Sequence, residues 1–230
     1  MLEGLGVVAY KTGSGELTNI PLLKHIAEKS KPMIISTGMS TIPDIVASIK
    51  AIGPLNPNIC LMNCTSTYPS EYRDIRLLGI PYLAERFACP VGQSDHSPGI
   101  ATALGAVALG ASVIEKHFTL DREWPGPDQK ASILPDELKR LVVESRQIWE
   151  AMKERGPMLE GEKPVAAMAH HSVVSIAPIK AGESFSLDNL WVRRPGNGIP
   201  AAMLDQVLIG KAARDIGPNT LLSLADIATA

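Results

Sequence analysis

Residues 90–117 read PVGQSDHSPGIATALGAVALGASVIEKH, and this stretch decides the fold. A short apolar run, Pro90–Gln93, ends in the polar tip Ser94-Asp95-His96. Pro98 then marks a helix start, and a Gly/Ala-rich helix of about 16 residues follows. Its small side chains suit tight packing against a sheet. A second apolar run, Ser112–Glu115, ends in Lys116-His117. Runs without polar alternation suit parallel strands covered on both faces, so the stretch reads as strand, helix, strand in one βα repeat.

Working outward, the same texture recurs toward the amino terminus. Apolar runs at Val7–Tyr10, Met33–Ser36 and Ile59–Asn63 each run into a polar or Gly-rich tip, with helical spacing at Ile20–Lys29, Thr41–Ile52 and Ile75–Arg86. Pro43, just after Ser40-Thr41, starts one helix, and Pro135-Asp136 opens an amphipathic one over Glu137–Met152. Parallel strands alternating with helices form either an open doubly wound sheet or part of an eight-stranded barrel. The tips decide between them. Lys11/Ser14/Glu16, Ser36, Asn63/Thr65/Ser66/Tyr68, Ser94/Asp95/His96 and Lys116/His117 all offer groups able to do chemistry. Such groups at the carboxyl end of nearly every strand are the barrel pattern, and no GxGxxG or P-loop supports a dinucleotide sheet. The expected fold class is α/β, a partial (β/α)8-type barrel.

After Gly156 the texture changes. Gly156–Pro164 is a Gly/Pro/Glu-rich linker, and Ser172–Ile176 a short β-rich run. Ala181-Gly182-Glu183 reads as a turn, Leu187–Leu190 as a short helix or turn, and Arg193–Gly198 as a Pro/Gly loop. Leu204–Gly210 reads as helix, Lys211–Ile216 and Leu221–Leu224 as short strands. The expected organisation is a barrel-type domain over 1–156, a linker over 157–171 and a small β-rich module over 172–230, the last near the practical lower size for independent folding.

With 45% hydrophobic and 20% charged residues, the 230-residue chain can bury a sizeable core and is not generally disordered. A formal charge of -2 favours neither nucleic acid nor an anionic membrane as partner. The apolar Gly99–Ile114 stretch is too short to span a bilayer, and the first residues show no secretory signal. Three cysteines, Cys60, Cys64 and Cys89, read as reduced thiols in a cytoplasmic protein.

His96 and His117 form the sharpest candidate pair. One βα unit separates them, so adjacent parallel strands bring both imidazoles to one rim. Two neutral imidazoles suit a divalent ion whose shell carboxylate, water or substrate oxygen completes; the alternative is two strand-end histidines bonded to backbone carbonyls. In Lys11-Thr12-Gly13-Ser14-Gly15-Glu16 the glycines let backbone amides approach a ligand, and the lysine supplies a point charge for phosphate; the alternative is a solvated loop. Ser36-Thr37-Gly38 and Thr65-Ser66-Thr67 are further hydroxyl-rich tips, each a helix cap if taken alone. Asp128 sits in the loop Gly126–Lys130. Arg193 and Arg194 are either surface charges or anion ligands on a rigid loop. His170 and His171 read as structural or solvent-facing.

Taken together, AYKTGSGE, ISTGM, MNCTSTYP, GQSDHS, IEKHFTLDREWPGPDQKAS and GESFSLDNLWVRRPGNGIP resemble the sialic acid synthase family, the phosphoenolpyruvate-condensing enzymes of nonulosonic acid synthesis. The resemblance runs in order over almost the whole chain. It implies a TIM barrel joined to an antifreeze-like SAF domain, and condensation of phosphoenolpyruvate with an N-acyl aldose such as N-acetylmannosamine, releasing phosphate. It matches His96 and His117 to ligands of a divalent metal, Mn2+ before Mg2+ or Co2+. Lys11, Ser14, Ser36, Ser66 and Ser94 match phosphoenolpyruvate-binding positions, Ser66 standing where some members have Asn. Glu16, Tyr68 and Asp128 match sugar-side positions, with Glu16 and Asp128 as candidate proton carriers. Arg194 matches an arginine that enters the partner subunit's site, which implies a domain-exchanged homodimer.

Two departures accompany the likeness. The family barrel has eight strands, and the matching segments begin at what looks like the fourth. His170-His171 replaces a frequent Arg-Arg pair. A non-catalytic binding or assembly protein of the same family is therefore the alternative expectation. A two-histidine hydrolase ranks lower, since only Asp95 and Asp128 could add carboxylate ligands.

Overall fold

The computed structural model describes residues 2–228, in two compact units, Met1–Lys153 and Glu154–Ala230. In the first unit five strands alternate with helices: β1 (Tyr10–Thr12), α1 (Ile20–Ala27), β2 (Met33–Ser36), α2 (Ile42–Ile52), β3 (Ile59–Cys64), α3 (Gly79–Phe87), β4 (Val91–Asp95), α4 (Ala101–Ala108), β5 (Ile114–Lys116) and α5 (Pro135–Ala151). All neighbouring strands are parallel, and their order in the sheet is their order in the chain. A doubly wound sheet reverses direction at a switch point; this one never does. The five strands form an arc of a (β/α) barrel wall.

Local chemistry starts the helices where the chain needs them. Thr41 and Asp44 form a reciprocal cap on α2, the Asp44 carboxylate accepting from the Thr41 N–H at 2.8 Å. The Asn19 side chain caps α1, and Glu137 accepts the Leu134 N–H ahead of α5 at 2.8 Å. Pro21, Pro43 and Pro135 occupy first-turn positions that need no N–H. Between helices and sheet lies a core in which Met33, Ile35, Ile59, Leu61 and Val91 meet Leu23, Ile45, Ile52, Ile80 and Leu83. Each such side chain contributes about 1.5–3 kcal/mol by leaving water.

Several boundaries differ from those read in the sequence. Strands β1, β3, β4 and β5 run on into their polar tips, because the neighbouring strand still offers backbone partners there, as in Ser94↔Glu115 and Asp95↔Lys116. Helix α3 starts at Gly79 rather than Ile75, since Tyr72–Asp74 forms a 3-10 turn and Arg76 is left-handed at φ 55°. Helix α4 is half the expected length, eight residues. It stops where Gly110 turns left-handed (φ 92°) and the Ala111 N–H bonds back to the Ala106 carbonyl at 3.0 Å.

The second unit holds α6 (Lys163–Ala169), an antiparallel pair β6 (Ser172–Ser175) and β7 (Leu190–Arg193), and α7 (Leu204–Leu208). Helix α6 lies inside the stretch expected to be linker, with Pro164 in its first turn. Leu190 belongs to strand β7 rather than to a helix or turn. Lys211–Ile216 and Leu221–Leu224 form no continuous strands. They make single bridges, Ser184↔Lys211, Ile179↔Ile216 and Val174↔Leu221, and Leu224 opens a 3-10 turn. The chain here wraps one small core of Val173, Ile179, Phe185, Leu190, Ile199, Val207, Ile216 and Leu222, and pairs residue by residue. Among the described residues no helix is long and apolar enough to cross a membrane.

Candidate active site

Successive strand side chains point to opposite faces of the sheet, and the register sorts chemistry from packing. Met33, Ile35, Ile59, Leu61 and Val91 face the helices. The alternate positions, Lys11, Ile34, Ser36, Cys60, Met62, Cys64, Gly92 and Ser94, therefore face the concave side. His96 and His117 continue that set one step beyond β4 and β5. Almost every candidate group of this unit is on one side of the sheet, at one end.

A hydroxyl cradle forms around Gly38. The Ser14 hydroxyl donates to Ser36 Oγ at 3.0 Å and accepts the Gly38 N–H at 3.1 Å. A methyl carbon built on Gly38 would lie 2.2 Å from Ser66 Oγ, 2.6 Å from Ser14 Oγ and 3.0 Å from Cys64 Sγ. Only glycine lets these three side chains converge. The structure thus brings Ser14, Ser36 and Ser66 together around a backbone N–H, the composition of an anion site.

Lys11 and Ser94 meet through a residue that the sequence reading did not single out. Glu115 accepts from Ser94 Oγ at 2.7 Å and pairs with Lys11 Nζ at 3.2 Å. Its strand register opposite Ser94 is the signal that finds it, because it puts Glu115 on the concave face. Lys11 and Glu115 also line a hollow of about 510 Å³, walled on its far side by Leu138, Leu141 and Val142 of α5.

The two imidazoles stand edge to face with centroids 5.1 Å apart. Tyr68 covers them, its ring 4.1 Å from His96 and 5.6 Å from His117. His96 is buried, and its Nδ1 lies 2.8 Å from the Thr65 carbonyl. A carbonyl can only accept, so Nδ1 carries the proton and Nε2 is the lone-pair nitrogen of the neutral ring. His117 Nδ1 lies 3.5 Å from Asp128 Oδ2. Glu16 stands apart from the pair, its carboxylate accepting from Asn19 at 2.9 Å. Arg194 is in the second unit, exposed, its Nε donating to the Ala169 carbonyl at 2.9 Å. His170 and His171 are exposed.

Cys64, the second group missed in the sequence, links cradle and imidazoles. Burial opposes its ionisation, but hydrogen bonds from His96, Ser14, Ser36 and Ser66 outweigh that and bring the thiol down to about 6. Burial likewise disfavours a charged His96, yet the bonds to Cys64 and the Thr65 carbonyl, with the charges of Cys64 and Asp95, hold its pKa above the usual value. Cys64 and His96 therefore titrate as a coupled pair. Burial first, then the charges of Cys64, Asp128 and Glu115, raises the Tyr68 hydroxyl.

Among the described residues no group of three or more His, Cys, Asp or Glu side chains could hold a metal ion. The donor set is a partial one: two imidazoles, His96 oriented by a carbonyl and His117 lying beside a carboxylate, the outer partners that ligating histidines keep. It fits a divalent ion that draws its other ligands from water or substrate oxygen.

Residues 1–156 match the NeuB family and residues 170–229 the SAF domain. The chain belongs to the NeuB family. The NeuB-family chain is 42% identical over 217 residues to the N,N'-diacetyllegionaminic acid synthase of Campylobacter jejuni, covering 93% of this chain and 65% of that one. It is 39% identical over 194 residues to the mouse N-acetylneuraminate-9-phosphate synthase, covering 84% of this chain and 54% of that one. A putative spore coat polysaccharide biosynthesis protein E from Chromobacterium violaceum superposes with a TM-score of 0.77 at 24% identity, over 99% of this chain and 70% of that one, and so shares the fold. The chain spans between half and two thirds of the length of these two curated relatives. This chain is thus part of a TIM-type barrel followed by a SAF domain, and the two curated relatives named above are sugar-acid synthases.

Proposed function

We propose that this chain serves a cytoplasmic transferase that condenses phosphoenolpyruvate with an N-acyl aldose, N-acetylmannosamine or a relative of it, and releases phosphate. The observation that carries the reading is the meeting, on one concave face, of a hydroxyl-and-amide cradle with a paired imidazole centre 5.1 Å across. Ser14, Ser36, Ser66 and Ser94 with Lys11 bind the phosphate and carboxylate of phosphoenolpyruvate, holding its enol carbon at attacking distance. Lys11 leaves Glu115 to do so. His96 and His117 hold a divalent ion, Mn2+ by preference, and Lewis-acid polarisation of the open-chain aldehyde is what such an ion supplies when bound. Tyr68 closes the imidazoles from above and presents its hydroxyl to the sugar. Asp128, beside His117, and Glu16, in the loop after β1, are the carboxylates assigned to move protons. Arg194 is assigned to substrate binding in the active site of a second copy, within a domain-exchanged homodimer.

The test is phosphate release from phosphoenolpyruvate by this chain in the longest polypeptide its gene encodes. Release is expected only with an N-acylmannosamine-type sugar and Mn2+ together, and not in His96→Ala or His117→Ala. Phosphoenolpyruvate binding without sugar-dependent release would overturn the enzymatic reading in favour of a binding or assembly role.

A further inference from the structure

Behind the two imidazoles, on the helix-facing side of the sheet, lies a buried polar cluster of Asp95, Lys116, Ser97 and Thr102. Asp95 and Lys116 are register partners on β4 and β5. Their side chains are 0% and 3% accessible, and Lys116 Nζ lies 3.1 Å from Asp95 Oδ2. Every strong group around them is engaged. Asp95 accepts the Ser97 N–H at 2.9 Å and the Thr102 hydroxyl at 2.7 Å, and Lys116 also donates to the Ser97 carbonyl at 2.5 Å. Ser97 and Thr102 are themselves buried.

A buried ion pair of this kind is a poor source of net stability. Removing two charges from water costs several kcal/mol per ion, and an apolar pair of similar volume often does as well or better. Its value lies in what it fixes. Asp95 precedes His96 and Lys116 precedes His117, so a cross-strand bond between residues 95 and 116 sets the spacing from which both rings depart. The cluster also takes both backbone groups of Ser97, which pins the chain on the far side of His96. Past His117, the Ile133 N–H bonds to the His117 carbonyl at 2.8 Å, closing the second tip. Each histidine is thus held by its neighbours before and after it.

We infer that Asp95 and Lys116 are positioning residues: their buried pair locks the tips of β4 and β5 together and thereby fixes the mutual geometry of His96 and His117. The inference rests on the imidazole pair being the working centre proposed above. The hydrophobic helix face could have been built from Leu or Ile at these positions, as it is at Ile35 and Leu61. A directional bond sets separation and angle more narrowly than apolar contact does.

The test uses Asp95→Asn/Lys116→Met, which removes both charges at once and leaves an amide to engage Ser97 and Thr102. Two readouts are taken on folded protein: Mn2+ affinity by calorimetry, and the ring-nitrogen signals of His96 and His117 by long-range 1H–15N correlation without metal. The expected result is an unchanged far-UV circular dichroism spectrum and a melting midpoint within a few degrees of wild type. Mn2+ binding should weaken by about tenfold or more, and His96 should pass from a single Nδ1–H tautomer to a mixture. Unchanged Mn2+ affinity and an unchanged single tautomer would overturn the inference, as would losses that merely track a fall in the melting midpoint. Should the double variant not fold, Asp95→Asn alone is read by the same spectra, with a smaller change in the same direction expected and no change refuting. Wild-type protein that binds no Mn2+ would sink the metal reading of the site, while the tautomer signal still decides the role of the pair.

Discussion

Gly38→Ala is the sharpest single perturbation of the cradle. The added carbon would stand 2.2 Å from Ser66 Oγ and 2.6 Å from Ser14 Oγ, where real contacts of this kind keep more than 3 Å. Both hydroxyls have to swing away by roughly 0.5–1 Å or more, off their preferred rotamers or out of the cradle. A hydrogen bond to a charged group contributes about 1.5–3 kcal/mol. Losing one to a bound phosphate or carboxylate thus weakens binding by a factor of roughly 10–150. Affinity for phosphoenolpyruvate, measured by calorimetry beside a thermal melt, is the assay. Gly13→Ala is the control, because a side chain there meets nothing within 4 Å. If Gly38→Ala binds phosphoenolpyruvate within about threefold of wild type while Gly13→Ala does the same, the hydroxyls do not form the anion site.

Three further outcomes are expected. Glu115→Gln releases Lys11 from a half-exposed ion pair worth at most about 1 kcal/mol, so phosphoenolpyruvate should bind up to about fivefold more tightly; weaker binding would show Glu115 holding Lys11 in place for the ligand. Cys64 should be alkylated by iodoacetamide with a rate inflection near pH 6, as its pKa of about 6 dictates. Cys60 and Cys89, pushed up by burial, should react only in alkali, and phosphoenolpyruvate with Mn2+ should protect Cys64; equal labelling of all three at neutral pH would refute the assignment. In the second unit Asp226 accepts from Ser223 N, Ser223 Oγ and Arg214 Nε at 2.8, 2.9 and 2.6 Å. Burial opposes its ionisation, but these bonds prevail and hold its carboxyl below the ordinary 3.8. A depressed carboxyl stabilises the fold above its unfolded pKa, and that stability drains as pH falls through the lower folded value. Asp226→Ala should therefore cost about 1.5–3 kcal/mol at neutral pH, and the gap to wild type in chemical denaturation should close in strong acid; a gap independent of pH would contradict this.

The barrel was legible because its strands are apolar on both faces and its tips are not. Runs such as Met33–Ser36 declare themselves by composition, and Pro43 and Pro135 mark the helix starts. Where the strands stop was not legible. Backbone pairing in β4 and β5 continues through Ser94, Asp95 and Lys116, which composition alone assigns to polar tips. The same effect hid Glu115 and Cys64, each read as strand or thiol rather than as a group on the concave face. Alternation counted back from His117 and Ser36 recovers both, once the register is known. In the second unit a small core fixes the fold through single bridges at Lys211, Ile216 and Leu221, and isolated pairs carry no periodic signature. The helix at Lys163–Ala169 was obscured by the Gly, Pro and Glu residues just before it.

Strand β4 carries concave-facing and core-facing groups on alternate residues, and this restricts how the gene can vary. Deleting one codon between Gly92 and Asp95 would turn an imidazole toward α4 and swing Asp95 away from Lys116 on β5, ruining packing and chemistry together. Removing two adjacent codons would shorten the reach of the tip yet keep each group on its own side. Length polymorphism in this segment should therefore be tolerated, if at all, only in even steps.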